Sequence, residues 1–460
     1  MPSEKLTRRQ FLGMASAAAA GVVFAGCTPG KPDIIAPTPR PTLGLDPTRL
    51  DTRWPIKRVV YVMMENRSFD NMFGRFPGAD GATTGVNLGQ EIPLRRCPDW
   101  LPGDLPHDLA SHLKQENGGA QDGFAIGAFG PQYSYSQFWP QDIPAYWRWA
   151  KEFVLCDRFF ASQAGPSYPN HLWAIAGAAG GTIDNPENIK VRPVEGGQFK
   201  SWGCDAYGED VFVFVQDEHG FITKHDTCFR IPTMGEKLSE RNIDWAFYSS
   251  RPNQPGYIWQ AYSAIEGVFH TDLWDEHIWS VDDLMRDVEA GVLPPVTWVT
   301  PHFQLSDHPP FSTRYAHNWV AELVNGIMRS DMWEHTAIFL TWDEWGGFYD
   351  HVPVPKMDPW DMGFRVPALV ISPFARRGLV YDEVVEFTAP LRFIADNWGV
   401  EPFTHRMGIS RNFEDVFDFT AKPRPPVRGR TVDPTTKDAY DFPEHYGGWD
   451  PGTSPMPPDI

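Results

Sequence analysis

Cysteine is scarce in this chain, with five in 460 residues. No pair has the CxxC or CxxxC spacing of a thiolate metal site, which excludes a zinc-finger type of centre. Positive charge is also short: 40 Lys and Arg stand against 59 Asp and Glu, a formal charge of −19. A surface of that sign repels nucleic acid and offers no polybasic contact to an anionic membrane, so no nucleic-acid partner is expected. The apolar run from Gly13 to Gly26 falls short of the ~20 residues that span a bilayer. No internal repeat is visible, which excludes a solenoid and leaves length for one large core. What is plentiful is proline and tryptophan, 44 and 19 residues, a composition of many ordered loops.

The amino terminus reads as targeting. Thr7-Arg8-Arg9-Gln10-Phe11-Leu12 matches the twin-arginine export signal, and the small-residue apolar run follows it directly. The expected partner during export is the twin-arginine translocase, which carries folded proteins. Phe24-Ala25-Gly26-Cys27 resembles a bacterial lipobox, making Cys27 a lipidation candidate and a route to membrane anchoring; Phe24 stands where an aliphatic residue is usual. The alternative is cleavage nearby and a free secreted or periplasmic protein. The reading divides the chain into a signal at 1–27, a Pro-rich tether at 28–54, one domain at 55–420 and a Pro-rich wrapping tail at 421–460. In an oxidising compartment the four remaining cysteines allow three pairings. Cys204 and Cys228, which flank a short acidic segment, are the preferred disulfide, and Cys156 within an apolar run is expected to be a buried free thiol.

Along the domain, short apolar runs alternate with helical patterns. Val59 to Met64, Phe153 to Cys156, Trp245 to Tyr248, Pro295 to Thr300, Ala337 to Trp342 and Pro367 to Ser372 read as buried strands. Trp319, Val320, Leu323, Val324, Ile327 and Met328 share one helical face. Residues 170 to 177 read as a short helix with Pro169 in its first turn, and Ser167 just before it is placed to cap free N–H groups. Val211 to Val215 suggests a hairpin-like insertion. The expected fold is α/β, with a mostly parallel sheet at its centre and loop and hairpin insertions.

Three strands end in polar groups suited to chemistry. Val59 to Met64 runs into Glu65 and Asn66, Pro295 to Thr300 precedes Ser306-Asp307-His308, and Ala337 to Trp342 runs into Asp343 and Glu344. Parallel strands with right-handed crossovers deliver all of these to one edge of the sheet, where α/β proteins bind their ligands. Three carboxylates and an amide oxygen form a hard-oxygen set suited to Mg²⁺, Mn²⁺ or Ca²⁺, and nearby histidines admit Zn²⁺ or Fe. Gly346-Gly347 gives the chain room to turn there.

These segments together resemble one bacterial phosphoesterase family, that of the non-specific phosphatidylcholine-cleaving phospholipases C and a group of acid phosphatases. The resemblance rests on Glu65-Asn66-Arg67-Ser68-Phe69-Asp70, Gly165-Pro166-Ser167-Tyr168-Pro169-Asn170, Ser306-Asp307-His308-Pro309, and Asp343-Glu344 through Asp350-His351-Val352. It covers roughly residues 55 to 400. It implies an alkaline-phosphatase-like three-layer α/β/α sandwich and a divalent metal ion held by Glu65, Asn66, Asp343 and Glu344. It implies Ser167 as a nucleophile that forms a phosphoserine. His107, which precedes Asn117-Gly118-Gly119, and His308, with His351, would contact phosphoryl oxygens or protonate the leaving group. The implied substrate is a phosphate monoester or diester, phospholipid included.

Some positions depart from the family pattern. Its phospholipases C often carry threonine where Ser167 stands, and its acid phosphatases carry serine. Many members read Pro-Asn-Arg where this chain reads Pro169-Asn170-His171, so one phosphate-facing cation is missing or replaced. Trp345 is bulkier than expected after the paired acids. Two other readings are a non-catalytic solute-binding lipoprotein, which needs two hinged lobes, and a sulfatase of the same fold, which needs a formylglycine-type motif that Ser167 lacks.

Overall fold

The computed structural model describes residues 6–7, 47–357 and 360–434. Arg8, Arg9 and Cys27 of the export and lipidation readings lie outside the described residues, as do most of the tether and the tail beyond 434.

An eight-stranded sheet organises the rest. Its strands in chain order are β1 (Arg58–Met64), β2 (Val154–Cys156), β3 (Trp245–Ser249), β4 (Ile278–Ser280), β5 (Val296–Val299), β6 (Thr336–Trp342), β7 (Ala368–Ile371) and β8 (Leu379–Tyr381). In space they run β4-β3-β5-β1-β6-β7-β2-β8. Every pairing is parallel except those of β7, which lies antiparallel between β6 and β2. The two longest strands, β1 and β6, are neighbours at the centre and buried along all seven residues. A strand buried on both faces favours apolar residues at almost every position, which is why these two read as apolar runs, Val59 to Met64 and Ala337 to Trp342.

Two short helices, α1 (Phe69–Phe73) and α2 (Leu109–Glu116), precede those that cover both faces of the sheet. Helix α3 (Pro144–Glu152) packs on α5 (Thr313–Arg329), and α4 (Ser167–Ala176) packs on α6 (Thr388–Trp398). With the central strands shielded on each side, the architecture is the expected three-layer α/β/α sandwich. The periodic face predicted from Trp319 to Met328 belongs to α5, whose Val320, Leu323, Val324, Ile327 and Met328 are all buried. At roughly 1.5–3 kcal/mol for each fully buried aliphatic side chain, that stripe outweighs any intrinsic preference of the segment.

The predicted insertion is an antiparallel hairpin of Val213–Gln216 with Phe221–His225. Cys204 and Cys228 form the expected disulfide, and Cys97 and Cys156 are free and buried. Residues 427–432 lie along α3 and α5: Trp149 donates to the Val427 carbonyl, while Asn325 and Asn318 exchange paired hydrogen bonds with the backbones of Gly429 and Val432.

The register of β1 and β6 sets the site. Met64 lies opposite Trp342, so Glu65 and Asp343 leave the sheet side by side. The end of β5 comes to the same edge on the other side of β1, with Val299 opposite Val62.

Candidate active site

Asn66 takes a left-handed conformation, φ 58°, directly after β1, which asparagine tolerates better than most residues. Its backbone N–H donates to Asp343 Oδ1 at 2.9 Å. After β6 the chain turns through Gly346 (φ 62°) and Gly347 (φ 76°). A Cβ on Gly346 would stand 2.4 Å from the Asn66 carbonyl oxygen, so only glycine lets the two strand ends close on each other. The Gly346 N–H donates to Glu344 Oε2 at 2.7 Å and fixes that carboxylate inward.

Glu65, Asn66, Asp343 and Glu344 are all fully buried. Burial and the neighbouring Asp343 and Glu344 carboxylates push the Glu65 pKa well above its usual range, and burial does the same to Glu344. Asn66 Oδ1, Asp343 Oδ2 and Glu344 Oε1 have no hydrogen-bond partner among the described residues. Buried oxygens without donors are costly, and acids pressed together in a dry site call for a cation. The chemistry of the set suits a divalent ion.

Ser167 departs from its expected local role. Helix α4 begins at Ser167 itself, three residues earlier than predicted, and Pro166 is the cap residue with no side-chain cap bond. Proline is tolerated within the first helical turn, so Pro169 lies inside the helix. Freed from capping, Ser167 Oγ donates to Glu65 Oε2 at 3.4 Å and is 2% exposed. Asn170 holds the entry to this helix: its side-chain amide contacts the carbonyls of Gln163, Gly165 and Pro166, and its Oδ1 accepts from Gln163 N.

At His171 the sequence suggests only a missing or replaced cation. It lies one turn after Ser167, with Nε2 2.8 Å from Glu65 Oε1 and 3.9 Å from Asp343 Oδ2. Glu65, His171 and Asp343 each bring a ligand atom within 4.8 Å of the others. Burial lowers the His171 pKa to about 4 despite Asp343, so the ring is neutral and able to ligate. The i, i+4 spacing that puts Ser167 and His171 on one helical face was the available signal.

His107 and His308 face each other with ring centroids 5.6 Å apart. Both are anchored in the same way: Nδ1 meets a backbone carbonyl, that of Leu105 for His107 and that of Pro309 for His308. In His107 this leaves Nε2 3.3 Å from Asn66 Nδ2 and 4.0 Å from Glu344 Oε1. Burial opposes charge on His107, but Asp104 and Glu344 prevail and raise its pKa to about 9. Burial lowers that of His308.

His351 is placed elsewhere. The glycine turn carries the chain away from Asp343, and the His351 ring bonds Asp70 Oδ2 at 2.7 Å and Asp80 Oδ1 at 3.2 Å. Buried Arg365 completes this second cluster through Asp350 at 2.8 Å and Asp70 at 3.4 Å. The guanidinium supplies the positive charge there, so the cluster is an ion-pair network beneath the rim rather than part of the site. Trp345 does not obstruct the rim: it is fully buried, donates to Gln115 and packs on His112 and Phe364.

Hemolytic phospholipase C of Pseudomonas aeruginosa is 24% identical over 490 residues, covering 90% of this chain and 62% of its own length. Phospholipase C A of Mycobacterium tuberculosis is 26% identical over 436 residues, covering 80% of this chain and 78% of its own. Among solved structures, a protein of the alkaline phosphatase superfamily from Vibrio parahaemolyticus aligns over 80% of this chain and 71% of that one, with TM-score 0.38 and 11% identity. The Phosphoesterase family profile matches residues 56–401, a span that takes in both strand ends, Ser167 and the facing histidines: the chain belongs to the Phosphoesterase family.

Proposed function

We propose that the protein is an exported, metal-dependent hydrolase of phosphate esters that works through a phosphoserine at position 167. The observation that carries this reading is the Ser167 hydroxyl standing 3.4 Å from Glu65 within a buried set of three carboxylates, an amide oxygen and an imidazole. A divalent ion held by Glu65, Asn66, Asp343 and Glu344, with His171 beside it, supplies Lewis-acid charge that favours ionised serine and offsets charge on the phosphoryl oxygens. Ser167 Oγ attacks phosphorus in line, its proton passing towards Glu65 Oε2. The ester P–O bond breaks, and the leaving oxygen takes a proton from His308 Nε2; burial keeps this ring neutral in the free site, and it gains that proton with the anionic ester, whose charge favours the imidazolium. Charged His107 holds a phosphoryl oxygen, where transition-state charge gathers. Water then attacks phosphorus and gives a proton to the now neutral His308 Nε2, the P–Oγ bond breaks, and Ser167 Oγ recovers its proton from Glu65.

The relatives named phospholipase C favour a phospholipid diester as substrate; serine rather than threonine at position 167 favours monoesters. Export rests on the Arg8-Arg9 motif, and membrane anchoring on lipidation of Cys27. The test is hydrolysis of a chromogenic phosphate monoester and of a phosphocholine diester, with chelator and with added divalent metals. Turnover of either substrate, abolished by chelation and restored by metal, is the expected result. Activity indifferent to chelation removes the metal from the proposal, and no hydrolysis of either ester leaves the solute-binding alternative.

A further inference from the structure

Arg67 and Asp307 belong to the motifs that carry the site residues, yet neither ligates nor reacts in the scheme above. Both are fully buried. Arg67 Nη2 donates to the Asp307 backbone carbonyl at 2.6 Å and to Thr313 Oγ1 at 2.9 Å, and its guanidinium lies 4.6 Å from the Phe348 ring. The Asp307 and Asp99 carboxylates lie near enough to favour its charge, but its hydrogen bonds go to a carbonyl and a hydroxyl, and these fix its position. Asp307 has φ 76°, a left-handed conformation that persists in a non-glycine residue only when its surroundings determine it. They do so from the ends of both central strands. The Glu65 N–H donates to the Ser306 carbonyl at 2.8 Å beside β1, and Trp342 Nε1, the last residue of β6, donates to Asp307 Oδ2 at 3.0 Å. The next residue in the chain is His308.

We infer that Arg67 and Trp342 are positioning residues that lock the Asp307 peptide and thereby aim His308 Nε2 at the reacting phosphoryl group. The inference rests on the proposed role of His308. It explains why an arginine sits two residues after Glu65 without reaching substrate: it joins the strand end that supplies ligands to the loop that supplies the proton donor.

The test is a double-mutant cycle on phosphate-ester hydrolysis, with folding checked by thermal denaturation. His308→Asn lowers kcat about 100-fold, as expected for a lost proton donor. Arg67→Lys, which keeps charge but not the forked donor, and Trp342→Phe, which removes only the indole N–H, each lower kcat about 10-fold with KM little changed. Added to His308→Asn, either substitution causes no further loss. Trp342→Phe keeps the test decisive if Arg67→Lys fails to fold. Losses that multiply in the double variants overturn the inference while leaving His308 in its role. Full turnover by His308→Asn overturns that role and the inference with it. Full turnover by both single positioning variants overturns the inference alone.

Discussion

His171 Nε2 lies 2.8 Å from Glu65 Oε1, one helical turn from the Ser167 hydroxyl that bonds the other oxygen of the same carboxylate. One acid thus couples the serine hydroxyl to an imidazole. His171→Ala is expected to weaken the apparent affinity for the activating divalent ion about 10- to 100-fold. Metal titrations of the hydrolysis rate measure this, and an unchanged titration midpoint would remove His171 from the metal set.

Ser167→Ala is expected to lose turnover by at least about 10³-fold while binding metal like the parent protein. Acid-quenched wild-type enzyme should carry phosphorus on residue 167, detected by peptide mass spectrometry. Turnover retained by the alanine variant removes serine from the chemistry.

Gly346→Ala brings a methyl group against the Asn66 backbone in a conformation that L residues resist. The expected result is loss of metal affinity of more than about 10-fold without loss of the sheet. Circular dichroism and metal-dependent hydrolysis separate the two effects. Wild-type metal affinity would show that the strand ends need not meet so closely.

His351→Gln is expected to spare turnover and lower stability. Burial opposes the charged ring, but the Asp70 contact wins and raises its pKa to about 9. A raised folded-state pKa contributes stability that is complete below the unfolded value, about 6.5, and is lost as pH climbs through about 9. With the ring partly exposed and screened, the difference from wild type should be about 1 kcal/mol at pH 6 and shrink towards pH 9. Chemical denaturation at several pH values measures it. A gap that widens with pH, or a collapse of turnover, contradicts the assignment of His351 to the lower ion-pair network.

Breaking Cys204–Cys228 by a double serine substitution should lower stability by about 3 kcal/mol for a closed loop of this length. The sequence separation is 24 residues. Since the bridge braces an insertion rather than the rim, kcat should stay within about twofold. Chemical denaturation and steady-state kinetics report the two outcomes; a large fall in kcat would tie the insertion to the site.

Much of the fold was legible because the two central strands are buried on both faces and leave no choice but continuous apolar residues. The convergence of Glu65, His308 and Asp343 followed from their places after parallel strands. Four features were hidden. The start of α4 was misplaced because Pro169 marks a first turn without saying how far that turn extends upstream. His171 lay in an Ala-rich helix, where a lone histidine is ordinarily a satisfied core residue, and only its spacing from Ser167 gave it away. His351 follows Asp343 by eight positions, but nearness in sequence does not report that Gly346 and Gly347 send the chain elsewhere. The reversed direction of β7 had no local signature at all.

That reversal matters for how the molecule can change. Because β7 runs against β6, the chain leaves the sheet after Trp342 and returns at Ala368 on the same edge, so the stretch between begins and ends at the rim. It is a cassette laid over the rim and riveted underneath by Arg365. Its outer turns could be lengthened or exchanged to suit another alcohol without asking any strand of the sheet to move.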